Sequence, residues 1–336
     1  MQLLIPHLFP PQRMLETATS AMRAPALETL LARGYLRAHP AQGIEIALCQ
    51  LLGIVRQQDW PIAPITIEAE GETAGSAYWM RADPVHLRVM RDRIVLADSS
   101  VLNLTQQESD ALATSIREHF GEALQPRPLH PASWYIKLAQ VPQLVTTPLS
   151  VACGRDIQPL MPEGEDAQQF RSMLNEVQML LHDHPVNQRR EGRGELAINA
   201  LWLWGGGIKP VIENRSLATL FSGDRTVSAL GEFCGAEVCR SAADLRTIVT
   251  ASQPIVVLDS LNQAGQCGDI YGWWDALGTL ERDWFVPLLG LLKRFKLSEL
   301  TLNDPANGKT LVVKRADTWK SWHRPHKLHS ILGRVS

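Results

Sequence analysis

The residues best suited to hold an anion lie within one short stretch of the chain, residues 184–207. Asn187, Arg190 and Asn199 supply amide and guanidinium donors there, and a guanidinium forms forked hydrogen bonds to phosphate or carboxylate. Gly205, Gly206 and Gly207 directly follow a short apolar segment, and consecutive glycines let backbone N–H groups approach a ligand closely. The stretch therefore predicts a site for phosphate or another anion, with Arg190 as the forked donor.

The same stretch also has a structural interpretation. The two asparagines and Arg190 would then hydrogen-bond loop carbonyls and cap the preceding helix, and the glycines would form a tight turn. Trp202 and Trp204 alternate on a predicted strand and therefore face one side of it. There they either pack in the core or form a ligand platform. We expect core packing for the tryptophans and favour the structural interpretation of the polar residues.

Two further groups of titratable residues invite a functional interpretation. His182 and His184 flank Asp183 at the end of a predicted helix. Residues two apart on a helix do not face each other, and histidines are favoured at helix C-termini, so we expect no metal site there. Asp83 and His86, beside a proline turn, would form either an acid/base pair or a turn network, and we expect the network.

Composition and signatures exclude several function classes. The sequence contains no GxSxG, GxxxxGK[ST] or HExxH motif, and no dinucleotide fingerprint follows the first predicted strand. A net charge of -2 gives no general attraction to nucleic acid or anionic membranes. The five cysteines form no CxxC pair, which favours reduced thiols. Because no secretory signal or membrane-length apolar run is present, we expect a cytoplasmic protein.

Strands and helices alternate along the chain, which predicts an α/β architecture. Apolar alternation and short apolar runs predict strands at Leu3–Ile5, Ile65–Glu68, Tyr78–Arg81, Arg93–Ala97, Ser133–Leu138, around Trp202 and Trp204, Ala236–Cys239, Ile255–Leu258, Glu299–Leu302 and Thr310–Lys314. Helical periodicity and capping residues predict helices at Pro25–Gly34, Ile44–Val55, Thr105–Phe120, from Asp166, Ser241–Ala251 and Tyr271–Phe295, the last kinked or divided at Pro287.

The predicted elements divide into an α/β core and an insertion. Residues 1–61 and 146–336 would form the core, a mainly parallel sheet flanked by helices, and residues 62–145 a small inserted α+β domain. The C-terminal stretch Lys309–His329 is rich in cations and contains Trp319 and Trp322. Such a mixture binds nucleic acid or phosphate, or forms a solvated face with aromatic anchors against the body. We expect the solvated face and no nucleic-acid partner.

Residues 184–207 resemble the block HPxNxxRxxxGxxxxNxxWxWGxG of the archaeal-type cofactor-independent phosphoglycerate mutases, metal-dependent enzymes of the alkaline-phosphatase superfamily. The matching residues are Asn187, Arg190, Gly194, Asn199, Trp202, Trp204, Gly205 and Gly207. Segments 25–34, 43–53 and 264–269 are similar to other parts of these enzymes. The resemblance implies an alkaline-phosphatase-like fold with an inserted domain, and a pocket between the two domains near Arg190.

The resemblance also implies where the reaction centre would be. The places of its serine nucleophile and its metal ligands correspond to Ile44 for the serine and to His7, Asn262, Gln266, Asn303 and Asp304 for the ligands. An aliphatic side chain cannot attack phosphorus, and amide oxygens bind divalent cations poorly compared with carboxylates. The basic substrate-binding segment of the family falls near residues 98–100, which contain no arginine. These substitutions predict a catalytically degenerate protein without a metal or other cofactor.

A binding or regulatory role is therefore the first hypothesis. The WLWGGG block and the RADPVHL segment (81–87) also resemble the bacterial family labelled RpfE-type regulatory protein, which implies regulation. The expected partner is a phosphorylated small molecule or a protein, with neither nucleic acid nor membrane involved. Two alternatives stay open: an interaction scaffold without a small ligand, and an active mutase or phosphatase with a rebuilt site. That enzyme would bind manganese or zinc through His7, Asp259, Asp269, Asp304 and His323.

Overall fold

The computed structural model describes residues 1–10, 14, 23–240 and 244–320. It divides into two compact units, the first formed by Met1–Ala47 and Asn214–Ser336 and the second by Leu48–Glu213. The second unit contains the predicted insertion, 62–145, together with residues 48–61 and 146–213, which the sequence assigns to the core. The reason is strand pairing, because a strand at residues 200–207 joins the sheet of the insertion.

The strands, in chain order, are β1 (Gln2–Leu4), β2 (Tyr35–Ala38), β3 (Tyr78–Val89), β4 (Ile94–Ala97), β5 (Arg127–His130), β6 (Ser133–Leu138), β7 (Ala200–Gly207), β8 (Thr219–Phe221), β9 (Glu237–Cys239), β10 (Ile255–Val257), β11 (Glu299–Asp304) and β12 (Lys309–Lys314). The α-helices are α1 (Pro25–Arg33), α2 (Gly43–Leu52), α3 (Ile62–Ala69), α4 (Ser99–Leu102), α5 (Gln106–Phe120), α6 (Leu149–Ala152), α7 (Ala167–His182), α8 (Pro185–Gly192), α9 (Arg225–Phe233), α10 (Leu245–Thr250), α11 (Asn262–Cys267), α12 (Ile270–Leu280) and α13 (Val286–Lys293).

The first unit is built on a seven-stranded sheet in the order β2-β12-β11-β1-β10-β8-β9. Strands β11, β1, β10, β8 and β9 run parallel, whereas β12 is antiparallel to both of its neighbours. Leu3 and Leu302 on the central strands share one apolar cluster with Leu27 of α1, Leu277 of α12 and Leu288 of α13. The predicted α/β class, with a mainly parallel sheet flanked by helices, is confirmed.

The predicted long helix over Tyr271–Phe295 is divided rather than kinked. A single π-helical turn, Glu281–Phe285, lies between α12 and α13, and Pro287 stands in the first turn of α13. That position suits a proline, which lacks an N–H to donate to the preceding turn. The buried Glu281 carboxylate accepts hydrogen bonds from the backbone N–H groups of Ala26 and Leu27. It thereby satisfies two of the free donors at the start of α1.

The second unit contains an antiparallel sheet in the order β4-β3-β6-β5, with β7 also paired to β3. The predicted capping box is confirmed, since the Thr105 hydroxyl and the Glu108 carboxylate each bond the other's backbone N–H at the start of α5. The predicted amphipathic helix is α7, which buries Phe170, Leu174 and Val177. No helix of the described residues is long and apolar enough to span a bilayer.

Several predictions of local structure are wrong. Ile65–Glu68 lies in helix α3 and not in a strand, because residues 62–67 are all buried and show no helical periodicity. Pro84 lies inside β3 and not in a turn. Residues 82–85 pair with β7 on one side of β3 and with neither β4 nor β6 on the other side. Proline lacks a backbone N–H, and on that unpaired side its absence removes no hydrogen bond between strands. Trp319 is 65% exposed and does not anchor the C-terminal stretch, while Trp322 lies outside the described residues.

Candidate functional site

The parallel strands of the first unit end at a common edge of its sheet. Strands β10, β1 and β11 are neighbours. The segments after β10 and β1 bring Asn262 and His7 to the carboxyl edge at which Asn303 stands near the end of β11. Helix α2 begins beside this edge, because the Gln42 N–H donates to the Pro305 carbonyl at 3.1 Å. Ligand sites of open α/β sheets lie at such edges. We call this region the carboxyl-edge site; it gathers the positions that the mutase resemblance assigns to a reaction centre.

His7 is held tightly at the start of this site. Its backbone adopts a left-handed conformation, with φ of 63°, and its residue is only 5% exposed. The His7 carbonyl accepts a hydrogen bond from Trp273 Nε1 at 2.8 Å. Gly265 on α11 faces the His7 side chain so closely that a Cβ at Gly265 would collide with it. The histidine is therefore packed between α11 and α12 as part of the interior.

The Asp304 carboxylate is completely buried and accepts four hydrogen bonds. Oδ1 accepts from the backbone N–H groups of His7 at 2.9 Å and Asn307 at 3.2 Å. Oδ2 accepts from the backbone N–H of Phe9 at 2.8 Å and from Asn307 Nδ2 at 3.1 Å. Burial raises the pKa of Asp304, and the four donors oppose that rise. A carboxylate offers about four acceptor positions, so the acceptor capacity of Asp304 is filled by the protein.

The other predicted ligands offer little to a cation. Asn262 and Gln266 are half-buried amides on α11, and Asp259 is exposed in the preceding turn. Asp269 caps α12 by accepting from the backbone N–H groups of Tyr271 at 3.1 Å and Gly272 at 3.0 Å. His323 lies outside the described residues. Within those residues, no group of three or more His, Cys, Asp and Glu side chains is arranged to hold a metal ion. The donor set does not fit a pair of divalent cations.

The position that the resemblance assigns to the serine nucleophile carries an aliphatic side chain, Ile44. Ile44 is the second residue of α2 and is half-buried. Gly43 precedes it with φ of 78°. In this conformation a glycine turns the chain sharply into the helix at little cost. The backbone geometry of a strand-edge turn into a helix is therefore present, while the side chain at its start carries no reactive atom.

In the second unit, the polar residues of the stretch 184–207 are bound to the protein itself. Asn187 Nδ2 donates to the carbonyls of Leu181 and Ile198, both at 2.8 Å, and its Oδ1 accepts from the Ile198 N–H at 2.8 Å. Asn199 bonds both backbone groups of Leu87, accepting at 2.7 Å and donating at 2.9 Å. These are the contacts that the structural interpretation predicts.

Arg190 is fully buried and its donors are also used internally. Nε donates to the Leu196 carbonyl at 2.9 Å, Nη1 donates to Glu108 Oε2 at 2.9 Å, and Nη2 donates to the Leu102 carbonyl. Arg193, by contrast, is half-exposed and pairs with Glu108 and Glu195 at the surface. Anion binding by Arg190 stays a prediction, but the described contacts leave it no outward-facing donor group.

The three glycines of the stretch continue strand β7. They do not form the tight turn of the structural interpretation. The registers of β3 and β7 shift between Trp79 and Arg81, where β7 carries one extra residue. Gly205, with φ of 69°, provides the left-handed conformation that such a bulge requires. A Cβ at Gly205 would lie 2.9 Å from Ile62 Cβ, and one at Gly207 would lie 2.6 Å from Pro61 Cβ. The glycines allow other elements of the second unit to pack directly against β7.

The tryptophans of β7 are core residues, as expected. Trp202 is 4% exposed and donates to the Thr147 carbonyl at 2.8 Å, and Trp204 is 2% exposed and donates to Asp83 Oδ2 at 2.7 Å. His86 does not pair with Asp83, since its Nδ1 lies 2.8 Å from the Ala197 carbonyl oxygen. Asp83 and His86 are three residues apart on a strand, which places their side chains on opposite faces.

Sequence reasoning missed a buried ion pair on β3. Asp83 Oδ1 accepts from Arg81 Nε at 3.0 Å and Nη2 at 2.8 Å, and also from the Trp134 N–H at 3.0 Å. The Arg81 guanidinium lies 5.0 Å from the Tyr135 ring centroid and 5.2 Å from that of Trp204. Burial raises the pKa of Asp83 while Arg81 opposes this rise. The signal was the spacing of two residues on a strand, which puts both side chains on one face.

His184 links two helices of the second unit. As the N-cap of α8 it accepts a hydrogen bond from the Val186 N–H at 3.2 Å through Nδ1, and its Nε2 lies 3.0 Å from the Ser115 hydroxyl of α5. Burial and the nearby Arg189 lower the pKa of His184. The neighbouring His182 and Asp183 side chains are exposed and 4.0 Å apart. This cluster has the helix-terminal arrangement that the sequence predicts.

Comparison with known proteins identifies relatives of this chain, although no family model matches it. A probable 2,3-bisphosphoglycerate-independent phosphoglycerate mutase of Geobacter sulfurreducens is 26% identical over 209 residues, 58% of this chain and 51% of its own. The corresponding mutase of Methanosarcina mazei is 24% identical over 210 residues with the same coverage. That of Methanothrix thermoacetophila is 29% identical over 117 residues, 34% of this chain and 29% of its own. The chain spans about half the length of the curated relatives it matches.

Solved structures with some likeness include a cofactor-independent phosphoglycerate mutase from Thermoplasma acidophilum, with a TM-score of 0.45 at 17% identity over 98% of this chain and 93% of that one. Another is a protein from Pyrococcus horikoshii, with a TM-score of 0.49 at 13% identity over 93% of this chain and 86% of that one. The relatives that match in sequence are named as phosphoglycerate mutases. In sequence this chain is similar to 2,3-bisphosphoglycerate-independent phosphoglycerate mutases, as the resemblance of residues 184–207 implies.

Proposed function

We propose that this chain is a catalytically degenerate relative of the phosphoglycerate mutases that acts by binding a protein partner, in a regulatory role. Its relatives are named as mutases, and a metal-dependent phosphoryl transfer needs a nucleophile and a cation cluster. The carboxyl-edge site lies where ligand sites of α/β sheets occur. Its side chains, however, are one aliphatic group, three amides, a packed histidine and a carboxylate whose acceptor positions are filled by the protein.

The observation that carries the proposal is the state of Asp304. This is the one carboxylate that stands at a predicted ligand position of the family, and three backbone N–H groups and one amide already occupy it. A cation at Asp304 would have to displace donors that hold residues 7 and 9 to the β11–β12 turn. Asn262 and Gln266 are neutral, and within the described residues no group of three or more His, Cys, Asp and Glu side chains is placed to compensate that cost.

The absence of a nucleophile supports the same proposal independently. Ile44 has no atom that can attack phosphorus, and a bound divalent cation cannot turn its aliphatic side chain into a nucleophile. A single serine restored at this position would therefore not restore turnover, because the ligands of the activating cations would still be missing. Loss of the nucleophile and loss of the ligands are separate changes with one chemical result.

The choice of a protein over a phosphorylated small molecule rests on the stretch 184–207. Arg190, Asn187 and Asn199 are the expected anion ligands of this stretch, and each donates hydrogen bonds to other groups of the protein. The stretch thus supplies framework contacts. The segment near Asp98 also lacks the arginines that would hold a phosphate. A cytoplasmic location, and a regulatory role of the kind that the RpfE-type label implies, are parts of this proposal.

Metal analysis with an activity assay tests the degenerate site. The purified protein is incubated with manganese or zinc, freed of unbound ions and analysed for bound metal, and turnover of 3-phosphoglycerate is followed in parallel. The Methanosarcina mazei mutase serves as the active control. We expect no stoichiometric metal and no turnover above the protein-free background. Two bound ions per chain together with turnover would establish the active-enzyme alternative instead.

A restored variant sharpens this experiment. His7→Asp, Asn262→Asp and Gln266→His, combined with Ile44→Ser, return the family's residue types to the carboxyl-edge site. The control adds the same two negative charges at exposed positions, Gln263→Asp on α11 and Gln253→Asp before β10. We expect the combined variant to bind manganese at least roughly tenfold more tightly than the control, since carboxylate and imidazole ligands replace amides. Equal affinities would show that these positions are not the ligand positions.

A further inference from the structure

A surface groove lies at the other edge of the first unit's sheet, where β11 begins and β12 ends. Its volume is about 580 Å³, and it is lined mainly by Phe295, Ser298, Glu299, Lys314, Arg315 and Trp319. Glu299 pairs with Lys314 in the register of the two strands. We call it the Phe295–Trp319 groove. Because Asp304 marks the carboxyl end of β11, the groove is separate from the carboxyl-edge site.

Two exposed aromatic side chains form the apolar part of the groove. Phe295 is 58% exposed and Trp319 is 65% exposed, and their ring centroids lie 6.2 Å apart with planes inclined by 51°. Phe295 also has a φ of 63°, a left-handed conformation that is strained for a residue with a side chain. Large aromatic side chains exposed side by side are typical of binding surfaces, where Trp and Tyr dominate the energetics.

The surroundings of the aromatic pair are strongly cationic. The Arg315 guanidinium carbon lies 5.0 Å from the Phe295 ring centroid. The segments that form the groove, 293–299 and 314–320, contain the cationic residues Lys293, Arg294, Lys296, Lys314, Arg315 and Lys320. They contain only two acidic residues, Glu299 and Asp317, and Asp317 already pairs with Lys320 at 2.7 Å. The groove therefore complements a partner that is both acidic and able to insert an apolar group.

We propose that the Phe295–Trp319 groove docks an acidic segment of a partner protein whose aromatic anchor residue packs against the exposed faces of Phe295 and Trp319. Ring centroids 6.2 Å apart put these two rings in contact with each other, so one anchor side chain packs across both of them. Their planes are inclined by 51°, whereas successive bases of a single strand stack on parallel aromatic faces. Residues 321–336 of this chain contain Arg324, Lys327 and Arg334 and no acidic residue. Their charge has the same sign as the groove, so they are not the complementary occupant. This proposal does not depend on the state of the carboxyl-edge site.

Fluorescence anisotropy with a defined peptide tests the proposal. The probe is a short fluorescein-labelled peptide of glutamates around a central tryptophan, titrated with the full chain. We expect saturable binding that Trp319→Ala weakens roughly tenfold or more and that Arg315→Glu also weakens. The matched controls are Tyr271→Ala, an aromatic residue that is 75% exposed on α12, and Arg240→Glu, a surface arginine paired with Glu232. Both controls should bind the peptide as the unmodified protein does.

Peptide variants separate the two parts of the recognition. Replacing the central tryptophan by alanine should abolish most of the binding, and replacing the glutamates by lysines should abolish it entirely. Absence of binding, or equal binding by Trp319→Ala and its Tyr271→Ala control, overturns the proposal. So does binding that appears only after residues 321–336 are removed, because the chain's own end would then be the occupant. Tighter binding of a single-stranded oligonucleotide at the same site would assign the groove to nucleic acid instead.

Discussion

Residues 184–207 and the carboxyl-edge site both correspond to parts of the mutase resemblance. The first matches it in residue types, whereas the second does not. The stretch 184–207 matches the family block in its residue types, and its Asn187, Arg190 and Asn199 side chains bond the protein itself. The carboxyl-edge site has the ends of parallel strands at one edge of the sheet, whereas the residue types that the resemblance implies there are different. Side chains that hold the framework thus match the family block, while the positions that the resemblance assigns to chemistry do not.

Arg190 gives the largest test of this comparison, because Arg193 offers a matched control that contacts the same glutamate. Arg190→Ala removes a fully buried partner of Glu108 and leaves the Leu102 and Leu196 carbonyls without a donor. We expect it to lower the free energy of unfolding by about 3–5 kcal/mol, whereas Arg193→Ala, at the surface, costs at most about 1 kcal/mol. Urea unfolding measures both. Similar costs for the two variants would contradict the framework role of Arg190.

Asp304 tests the same idea at the carboxyl-edge site. Asp304→Ala leaves the backbone N–H groups of His7, Phe9 and Asn307 without their acceptor. Since each buried unpaired donor costs about 1–3 kcal/mol, we expect a loss of about 3 kcal/mol or more in the free energy of unfolding. The exposed Asp259→Ala is the control, and we expect a change within about 0.5 kcal/mol. If Asp304→Ala were as mild as its control, the carboxylate would not be a structural link.

The packing of β7 predicts an effect of intermediate size. A Cβ at Gly206 would collide with the Tyr78 hydroxyl and lie 3.1 Å from Met80 Cγ. Gly206→Ala should therefore cost about 1–3 kcal/mol through overpacking. Gly192→Ala, at the end of α8, meets no atom within 4 Å and should be neutral or slightly stabilising. Thermal denaturation of the two variants measures this. A neutral Gly206→Ala would indicate an open ligand loop instead of a packed strand.

His184 predicts the smallest effect, one that depends on pH. Its Nδ1 acts as an acceptor, which requires the neutral ring, and burial holds its pKa in the folded protein below the usual histidine value of 6.5. Its contribution to stability is therefore complete above about pH 6.5 and is lost as the pH falls through the folded-state pKa. His184→Asn keeps a capping acceptor that does not titrate. We expect the melting temperature of the unmodified protein to fall relative to this variant between about pH 6.5 and pH 5; a constant difference would contradict the prediction.

The sequence predicts the elements whose signals are local. Helix α5 follows from its capping box, and β10 follows from a continuous apolar run, because each signal lies within a few residues. Helix α3 is missed since its apolar, β-branched residues are buried almost throughout, which removes the periodicity that separates helix from strand. The glycines of β7 are misassigned because their role depends on Ile62, Tyr78 and Pro61, which are distant in sequence.

The same distinction holds for the candidate site. The resemblance predicts which positions carry unsuitable side chains, and this information is in the identity of Ile44, Asn262 and Gln266 themselves. It does not predict that the acceptor positions of Asp304 are filled, because two of its four donors are backbone groups almost three hundred positions away in the chain. Backbone donors leave no residue pattern in a sequence. Only the folded structure reveals that the Asp304 carboxylate already accepts four hydrogen bonds from the protein.

The Asp304 links have a consequence for how this protein can change over evolutionary time. They tie the first loop of the chain to the turn that follows β11, so a substitution that released the carboxylate for a cation would loosen both segments at once. A gain of cation binding at Asp304 would therefore require other contacts to replace these links first. Under the degenerate function that we propose, folding stability opposes a reversal by single mutations.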